Sequence, residues 1–164
     1  MAKRQRFRDK ATVNPSDRPL IGWREWVALP DFGIRAIKAK VDTGARTSAI
    51  HAKHIQRFQD QGLPMARFTI HPLQRSTAHP VDVTAEVVDE RKVRSSSGHA
   101  KRRPVIVTTV ELAGYHWPIE LTLANRDMMG FRLLLGRQAL KQRFLIHPGR
   151  SFVASPEKSL KKGG

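Results

Sequence analysis

The feature that most constrains the fold is an alternation of apolar and polar residues with a period of two, repeated in short runs. Segment 81–87 alternates cleanly, 119–123 does so again, and 105–110 is a continuous, mostly β-branched run. Alternate side chains of a strand point to opposite faces, and β-branched residues favour strands. Between the last two runs, Ala113-Gly114 predicts the turn of a hairpin. The pattern therefore predicts mainly short β-strands.

Further strand-like runs cover 34–41, 131–135 and 144–146. In the first of these, the alternation places Ile34 on the face opposite Ile37. Helical patterns are confined to two short segments, 47–58 and 137–143. Short strands separated by Gly and Pro are typical of a barrel or sandwich rather than of a doubly wound sheet. We therefore predict an all-β fold with one or two short helices.

Length and charge limit the organisation and the partners of the chain. Its 164 residues suffice for one domain with tails, and 30 Lys and Arg against 14 Asp and Glu give a net charge of +16. We expect basic flexible tails at 1–18 and 156–164 around a domain at 19–155. A charge this positive favours a polyanionic partner, either nucleic acid or an acidic polypeptide. Without a secretory signal or a long apolar run, the sequence predicts a cytoplasmic protein outside the membrane.

One tetrapeptide carries a pattern that suits catalysis. Asp42-Thr43-Gly44-Ala45 directly follows the predicted strand 34–41, so the turn would hold a carboxylate at the end of a strand. Two such carboxylates about 3 Å apart share one proton, and the pair activates water against a peptide carbonyl. The tripeptide alone is a weak signal that usually marks an ordinary turn, and the chain holds no second Asp-Thr-Gly or Asp-Ser-Gly.

A second motif gives the tetrapeptide its context. Leu133-Leu134-Leu135-Gly136-Arg137 is an apolar strand that ends at a glycine before a short helix. Together the two motifs resemble the retropepsin half-barrel of the acid proteases, in which a hairpin flap lies between them. The basic segment 89–103, with its Ser-Ser-Ser-Gly centre, occupies the flap position and is predicted to be a long exposed hairpin or loop. Residues 22–30, 38–52 and 147–150 extend the likeness to bacterial retropepsin-like endopeptidases of the RimB type, also labelled ATP-dependent zinc proteases.

This resemblance implies a role for each matching residue. Asp42 corresponds to the catalytic aspartate, and Thr43 to the residue whose hydroxyl braces the two motif loops across a dimer. The remaining positions support the active site: Gly44 and Ala45 form the turn, Gly136 packs behind it, and Arg137 makes a structural ion pair. Since the chain has half of a dyad, we predict a homodimer with one Asp42 from each subunit at the two-fold axis.

The resemblance also implies a substrate. RimB-type proteins are cytoplasmic and are thought to trim glutamate tails that a RimK-type ATP-grasp ligase adds to a small-subunit ribosomal protein. Arginine clamps carboxylates through two parallel hydrogen bonds, so cations near the site would suit such a tail. The candidate substrate-binding residues are Arg46, Lys92, Arg94, Lys101, Arg102 and Arg103.

Two alternatives remain open. A basic β-domain without enzyme activity would bind rRNA or the ribosome, and Asp42 would then be a turn residue. A zinc hydrolase would use His51 and His54, three apart on a helix, but the chain has no His-Glu-x-x-His and no Cys. We therefore assign no metal ligands and no cofactor. The other histidines, including His71, are interpreted as loop residues.

Overall fold

The chain folds into twelve strands, one short helix and two single 3-10 turns over the residues that the structure, a computed structural model, describes: 14–74, 76–94, 98–125 and 130–155. The strands are β1 (Leu20–Gly22), β2 (Arg24–Leu29), β3 (Ile34–Asp42), β4 (Ser48–His51), β5 (Lys53–Asp60), β6 (Leu63–Ile70), β7 (Val81–Glu86), β8 (Asp89–Arg94), β9 (Ala100–Leu112), β10 (Tyr115–Ala124), β11 (Leu133–Gly136) and β12 (Leu145–His147), and the helix is α1 (Arg137–Leu140). The 3-10 turns are Pro15–Asp17 and Pro30–Phe32. The prediction of an all-β fold is confirmed.

The main sheet has seven strands in the order β10-β4-β11-β3-β2-β9-β8, and β9 also pairs with β10. The second pairing closes six of the strands into a barrel, with β8 attached at β9 as the seventh. Closure leaves few unpaired strand edges, which is how small β-proteins avoid sheet extension. The barrel encloses the core, whose fully buried members include Ile37, Ile50, Ile106, Leu121 and Leu133.

Two further sheets flank the barrel. Strands β5, β6 and β7 form an antiparallel three-stranded sheet, and β1 pairs with β12 in parallel near the two ends of the described chain. The segment after β12 is fixed to β2, because the buried carboxylate of Glu25 accepts hydrogen bonds from the Ala154 amide at 2.8 Å and the Ser155 hydroxyl at 3.2 Å. A buried carboxylate needs such donors to offset its lost hydration.

The predicted hairpins are present. Strands β9 and β10 pair around Ala113-Gly114, with Leu112 opposite Tyr115. The basic segment 89–103 forms a second hairpin from β8 and the start of β9, in which Asp89 pairs with Val105 and Arg94 with Ala100. Residues 95–97 at its tip, residues 1–13 of the predicted tail at 1–18, and the predicted tail at 156–164 lie outside the described residues. The domain limits 19–155 remain a prediction.

Two details of the predicted secondary structure are wrong. Segment 47–58 is not a helix but forms β4 and β5, because β4 lies between β10 and β11 and its backbone pairs with both. Ile34 does not face away from Ile37, since the register of β2 against β3 shifts by one residue between them and both side chains are buried. A bulge of this kind inverts the alternation locally. The second predicted helix is confirmed at its start, as α1.

Candidate active site

Asp42 is the last residue of β3, half-buried, and its carboxylate is held by the loop that follows. Its Oδ1 accepts hydrogen bonds from the amides of Gly44 at 3.0 Å and Ala45 at 3.2 Å. The Ala45 amide also lies 3.2 Å from the Asp42 carbonyl oxygen, which closes the turn. One carboxylate oxygen is therefore fixed by backbone donors, while Thr43 and Gly44 at the tip of the loop are exposed.

Gly136 lies directly opposite Asp42 in the parallel pairing of β11 with β3. It is buried, and a Cβ atom there would come within 2.4–2.8 Å of the backbone atoms of Thr47. Such distances exclude any side chain unless the backbone moves. The role that the resemblance assigned to Gly136, packing behind the loop, matches this position.

Ser48 completes this contact and was missed by the sequence analysis. Its side chain is 2% exposed, and its Oγ accepts a hydrogen bond from the Gly136 amide at 3.0 Å. A buried N–H group that lacks an acceptor is costly, so this hydroxyl stabilises the junction of β11 with β4. No pattern in the sequence distinguishes Ser48 from an ordinary surface serine, because its partner lies 88 residues away.

The start of α1 is bonded to the Asp42 loop at three points. The amide of Arg137 donates to the Ala45 carbonyl at 2.7 Å, and the amide of Gln138 donates to the Arg46 carbonyl at 3.0 Å. The guanidinium of Arg137 donates to the Thr43 carbonyl at 2.9 Å. Arg137 therefore supports the loop through a hydrogen bond to a backbone carbonyl. The resemblance implied an ion pair instead, and none of the ion pairs among the described residues includes Arg137.

The candidate substrate-binding cations fall into two groups. Arg46 is exposed on the Asp42 loop, and among the described residues its side chain has no hydrogen bond or ion pair. The others lie on the β8–β9 hairpin, where the backbone of Lys92 lies opposite that of Arg102 in the strand pairing. Lys92, Lys101 and Arg102 are exposed and Arg103 is half-buried, while the side chain of Arg94 lies outside the described part of the structure.

Among the described residues, the ion pairs of the β8–β9 hairpin join it to β5 and β10 and not to the Asp42 loop. Arg91 of β8 forms an ion pair with Glu120 of β10 at 3.0 Å. Glu90 forms an ion pair with Arg57 of β5. These contacts hold the base of the hairpin between the barrel and the three-stranded sheet.

The histidine pair does not have the geometry that a helical zinc site would need. His51 is buried at the end of β4, whereas His54 is exposed in β5 with a left-handed φ of 55°. Residues three apart share a face in a helix but not in extended strands. Within 14–74, 76–94, 98–125 and 130–155, no group of three or more acidic or histidine side chains is placed to hold a metal ion.

A model of the RimB-like family, described as retropepsin-like aspartic endopeptidase RimB, matches residues 20–157. The chain belongs to this family. The match includes both motifs and the hairpin between them, so the resemblance found in the sequence is confirmed. Among the described residues, no helix is long and apolar enough to cross a membrane.

Relatives and a solved structure are also similar to this chain. A probable alpha-L-glutamate ligase of Shewanella halifaxensis is 46% identical over 133 residues, and one of Desulfotalea psychrophila is 47% identical over 131. These matches cover 80–81% of this chain but 28–29% of the relatives, so the chain spans less than a third of their length. The crystal structure of Lpg0085 from Legionella pneumophila, a protein of unknown function (DUF785), superposes with a TM-score of 0.67 at 28% identity, covering 84% of this chain and 98% of that one.

Proposed function

We propose that the chain is a homodimeric aspartic endopeptidase whose active site is formed by Asp42 from each of two subunits. The observation that carries this proposal is the anchored carboxylate at the end of β3, with one oxygen held by the amides of Gly44 and Ala45. The second oxygen has no hydrogen bond among the described residues, and the loop that bears it is exposed. A fixed carboxylate at an exposed loop suits a site completed by a second copy.

The chemistry follows from placing two like charges close together. Two carboxylates about 3 Å apart cannot both ionise, so the pair holds one proton and titrates as a unit. The ionised carboxylate takes a proton from a water molecule while the oxygen of that water attacks the peptide carbonyl carbon. The protonated carboxyl group donates its proton to the carbonyl oxygen. Collapse of the tetrahedral intermediate breaks the C–N bond, and the leaving nitrogen receives a proton from the pair.

The proposed substrate is a poly-glutamate tail on a small-subunit ribosomal protein, added by a RimK-type ligase in the cytoplasm. Two observations support it. The net charge of +16 suits an acidic substrate. The relatives named alpha-L-glutamate ligase contain a segment similar to this chain, and the match covers 29% of their own length. A segment joined to a ligase in some organisms is expected to act with that ligase, or on its product, in others.

The direct test is incubation of the protein with a peptide that ends in several glutamates, read by mass spectrometry. We expect wild type to shorten the glutamate tail and Asp42→Asn to leave it intact while melting at the wild-type temperature. Asp60→Asn is the matched control, because Asp60 is an exposed carboxylate at the end of β5 and its loss should leave turnover unchanged. Equal turnover of Asp42→Asn and wild type would contradict the proposal.

The second candidate function is binding of rRNA without catalysis. The exposed cations Lys92, Lys101 and Arg102 on one hairpin favour it, since clustered Lys and Arg bind phosphates. Such binding would weaken steeply with salt and would not respond to Asp42→Asn. Measuring RNA affinity for both proteins at two salt concentrations separates it from the peptidase.

A further inference from the structure

A cluster of basic side chains, two of them buried histidines, lies where three segments meet. Lys53 of β5 faces Thr69 of β6, and the residues two positions beyond this pair are His51 and His71. The amide of His51 donates to the carbonyl of Arg132 at 2.8 Å, which brings the segment before β11 to the same place. His51 and His71 are each 7% exposed.

The cluster has hydrogen-bonding capacity that the described residues do not satisfy. The Nδ1 atom of His71 and the Nε atom of Arg132 are buried without a hydrogen-bond partner. The guanidinium of Arg132 has only a long contact of 3.4 Å from Nη2 to the Ser76 carbonyl. Gln74, in the same turn, has a buried Oε1 atom without a donor, and its amide can reverse to present its NH₂ group. Buried polar groups normally have partners.

The charged and titratable groups that act on His71 from the described part of the chain are all basic. Burial, and then the nearby charges of Lys53, Arg132, His51 and His54, lower the pKa of His71 below its usual value. None of the ion pairs among the described residues brings a carboxylate to Lys53, Arg132 or His71. Half-buried cations without a counter-charge lose part of their hydration without compensation, so the cluster is complementary to an anion.

The position of the cluster relates it to Asp42. Along β11, Gly136 lies opposite Asp42 and Leu134 opposite Lys40, so even-numbered residues share a face with Asp42. Arg132 lies in a bend just before β11, four residues before Gly136, and a chain of that length spans at most roughly 13 Å. An extended peptide whose scissile bond lay at Asp42 would place its fourth side chain at about this distance.

We propose that His71 and Arg132, with Lys53 beside them, form a carboxylate-binding subsite next to the start of β11, the strand whose last residue lies opposite Asp42. The assignment of this carboxylate to a glutamate about four residues from the scissile bond rests on the proposed function. The guanidinium supplies a fork of N–H donors and the imidazole, protonated at Nδ1, supplies one more. The subsite itself requires no catalysis.

The test measures binding separately from cleavage. The full-length Asp42→Asn protein, which would not consume the ligand, is titrated with tetraglutamate while the His71 imidazole is followed by NMR, its signal being assigned through His71→Gln. We expect tetraglutamate to raise the pKa of His71, since a bound carboxylate favours the imidazolium, and tetraglutamine to have no effect. Adding Arg132→Gln should weaken tetraglutamate binding roughly tenfold, as expected for a charge-assisted hydrogen bond.

Matched variants keep each outcome informative. Arg67→Gln removes an exposed arginine of β6 that packs over Phe58, and it should leave the affinity unchanged. Arg132→Lys retains the charge but not the fork, so partial weakening is expected from a folded protein even if Arg132→Gln unfolds. Equal weakening by Arg67→Gln and Arg132→Gln would reduce the effect to general electrostatics and overturn the subsite.

Three further outcomes would overturn the proposal. Binding without any response at His71 would place the carboxylate elsewhere. A response of His71 to Asp127→Asn but not to tetraglutamate would mean that this chain fills the cluster with its own carboxylate, from a segment outside the described residues. Cleavage by wild type without a His71 response would refute the subsite and keep the peptidase. A His71 response to tetraglutamate without cleavage by wild type would keep the subsite and refute the peptidase.

Discussion

At the scale of single residues, the site depends on side chains whose partners are distant in the sequence. Asp42 was predicted from its tetrapeptide together with the motif at 133–137, because a carboxylate on a tight turn after a strand is a local pattern that the second motif makes specific. The sequence did not predict Ser48 or the contact of Arg137 with the Thr43 carbonyl, because each depends on a partner about 90 residues away. His71 is outside the strands, as predicted for a loop residue, yet it is buried. A local pattern does not report such burial.

The pKa of His71 gives a prediction of pH-dependent stability. Because burial and neighbouring cations lower this pKa in the folded protein, the unfolded chain binds the proton more readily. The free energy of unfolding is therefore unaffected by His71 above the pKa of the unfolded histidine, near 6.5, and decreases as the pH falls below that value. We expect wild type to lose more stability between pH 7.5 and 5.5 than His71→Gln does, measured by urea unfolding without added anions. An equal loss would contradict this.

Arg46 tests the recognition of acidic substrates at the loop itself. Its side chain is exposed on the loop that follows Asp42 and forms no hydrogen bond or ion pair among the described residues, so charge reversal should leave the fold intact. Arg46→Glu is expected to lower kcat/KM for a glutamate-rich peptide roughly tenfold more than for a neutral peptide. Arg150→Glu, at an exposed position after β12, is the control for overall charge. Equal losses on both peptides would count against a substrate contact.

At the scale of elements, the sequence predicted the strands whose burial alternates and failed where long-range pairing decides. Strands β7 and β10 were found from their alternation, and the hairpin turn from Ala113-Gly114. The apolar residues of 47–58 allowed a helix, but β4 is held between β10 and β11, partners that no local window contains. The bulge in β3 was missed for the same reason, because the register is a property of the pair.

The close contact of β11 with the Asp42 loop gives a prediction at this scale. Gly136→Ala would place a Cβ atom 2.4 Å from the Thr47 backbone, so the loop must shift. We expect a loss of about 1–3 kcal/mol in the free energy of unfolding, with a loss of turnover. Gly149→Ala is the control, since its Cβ would meet only the His147 ring, at 3.3 Å. Urea unfolding and peptide cleavage check both variants, and a Gly136→Ala protein as stable and active as wild type would contradict the packing role.

At the scale of the whole molecule, the described barrel supplies one Asp42 loop, and the excess of 30 basic over 14 acidic side chains suits an acidic substrate. The family could be predicted from the sequence because two motifs and the segments around them occur in the same order. The homodimer was predicted only indirectly, from the single Asp-Thr-Gly of the chain, because symmetry between chains produces no direct pattern in one sequence. The account therefore depends on whether two copies share one site.

The most direct measurement is the turnover of a purified heterodimer with one wild-type and one Asp42→Asn subunit, isolated through two different affinity tags. The heterodimer has only one Asp42 carboxylate at the shared site, and the proposed mechanism needs two. We therefore predict turnover near that of the Asp42→Asn homodimer. Turnover at half the wild-type rate would mean that each subunit carries a complete site. That result would contradict the shared dyad.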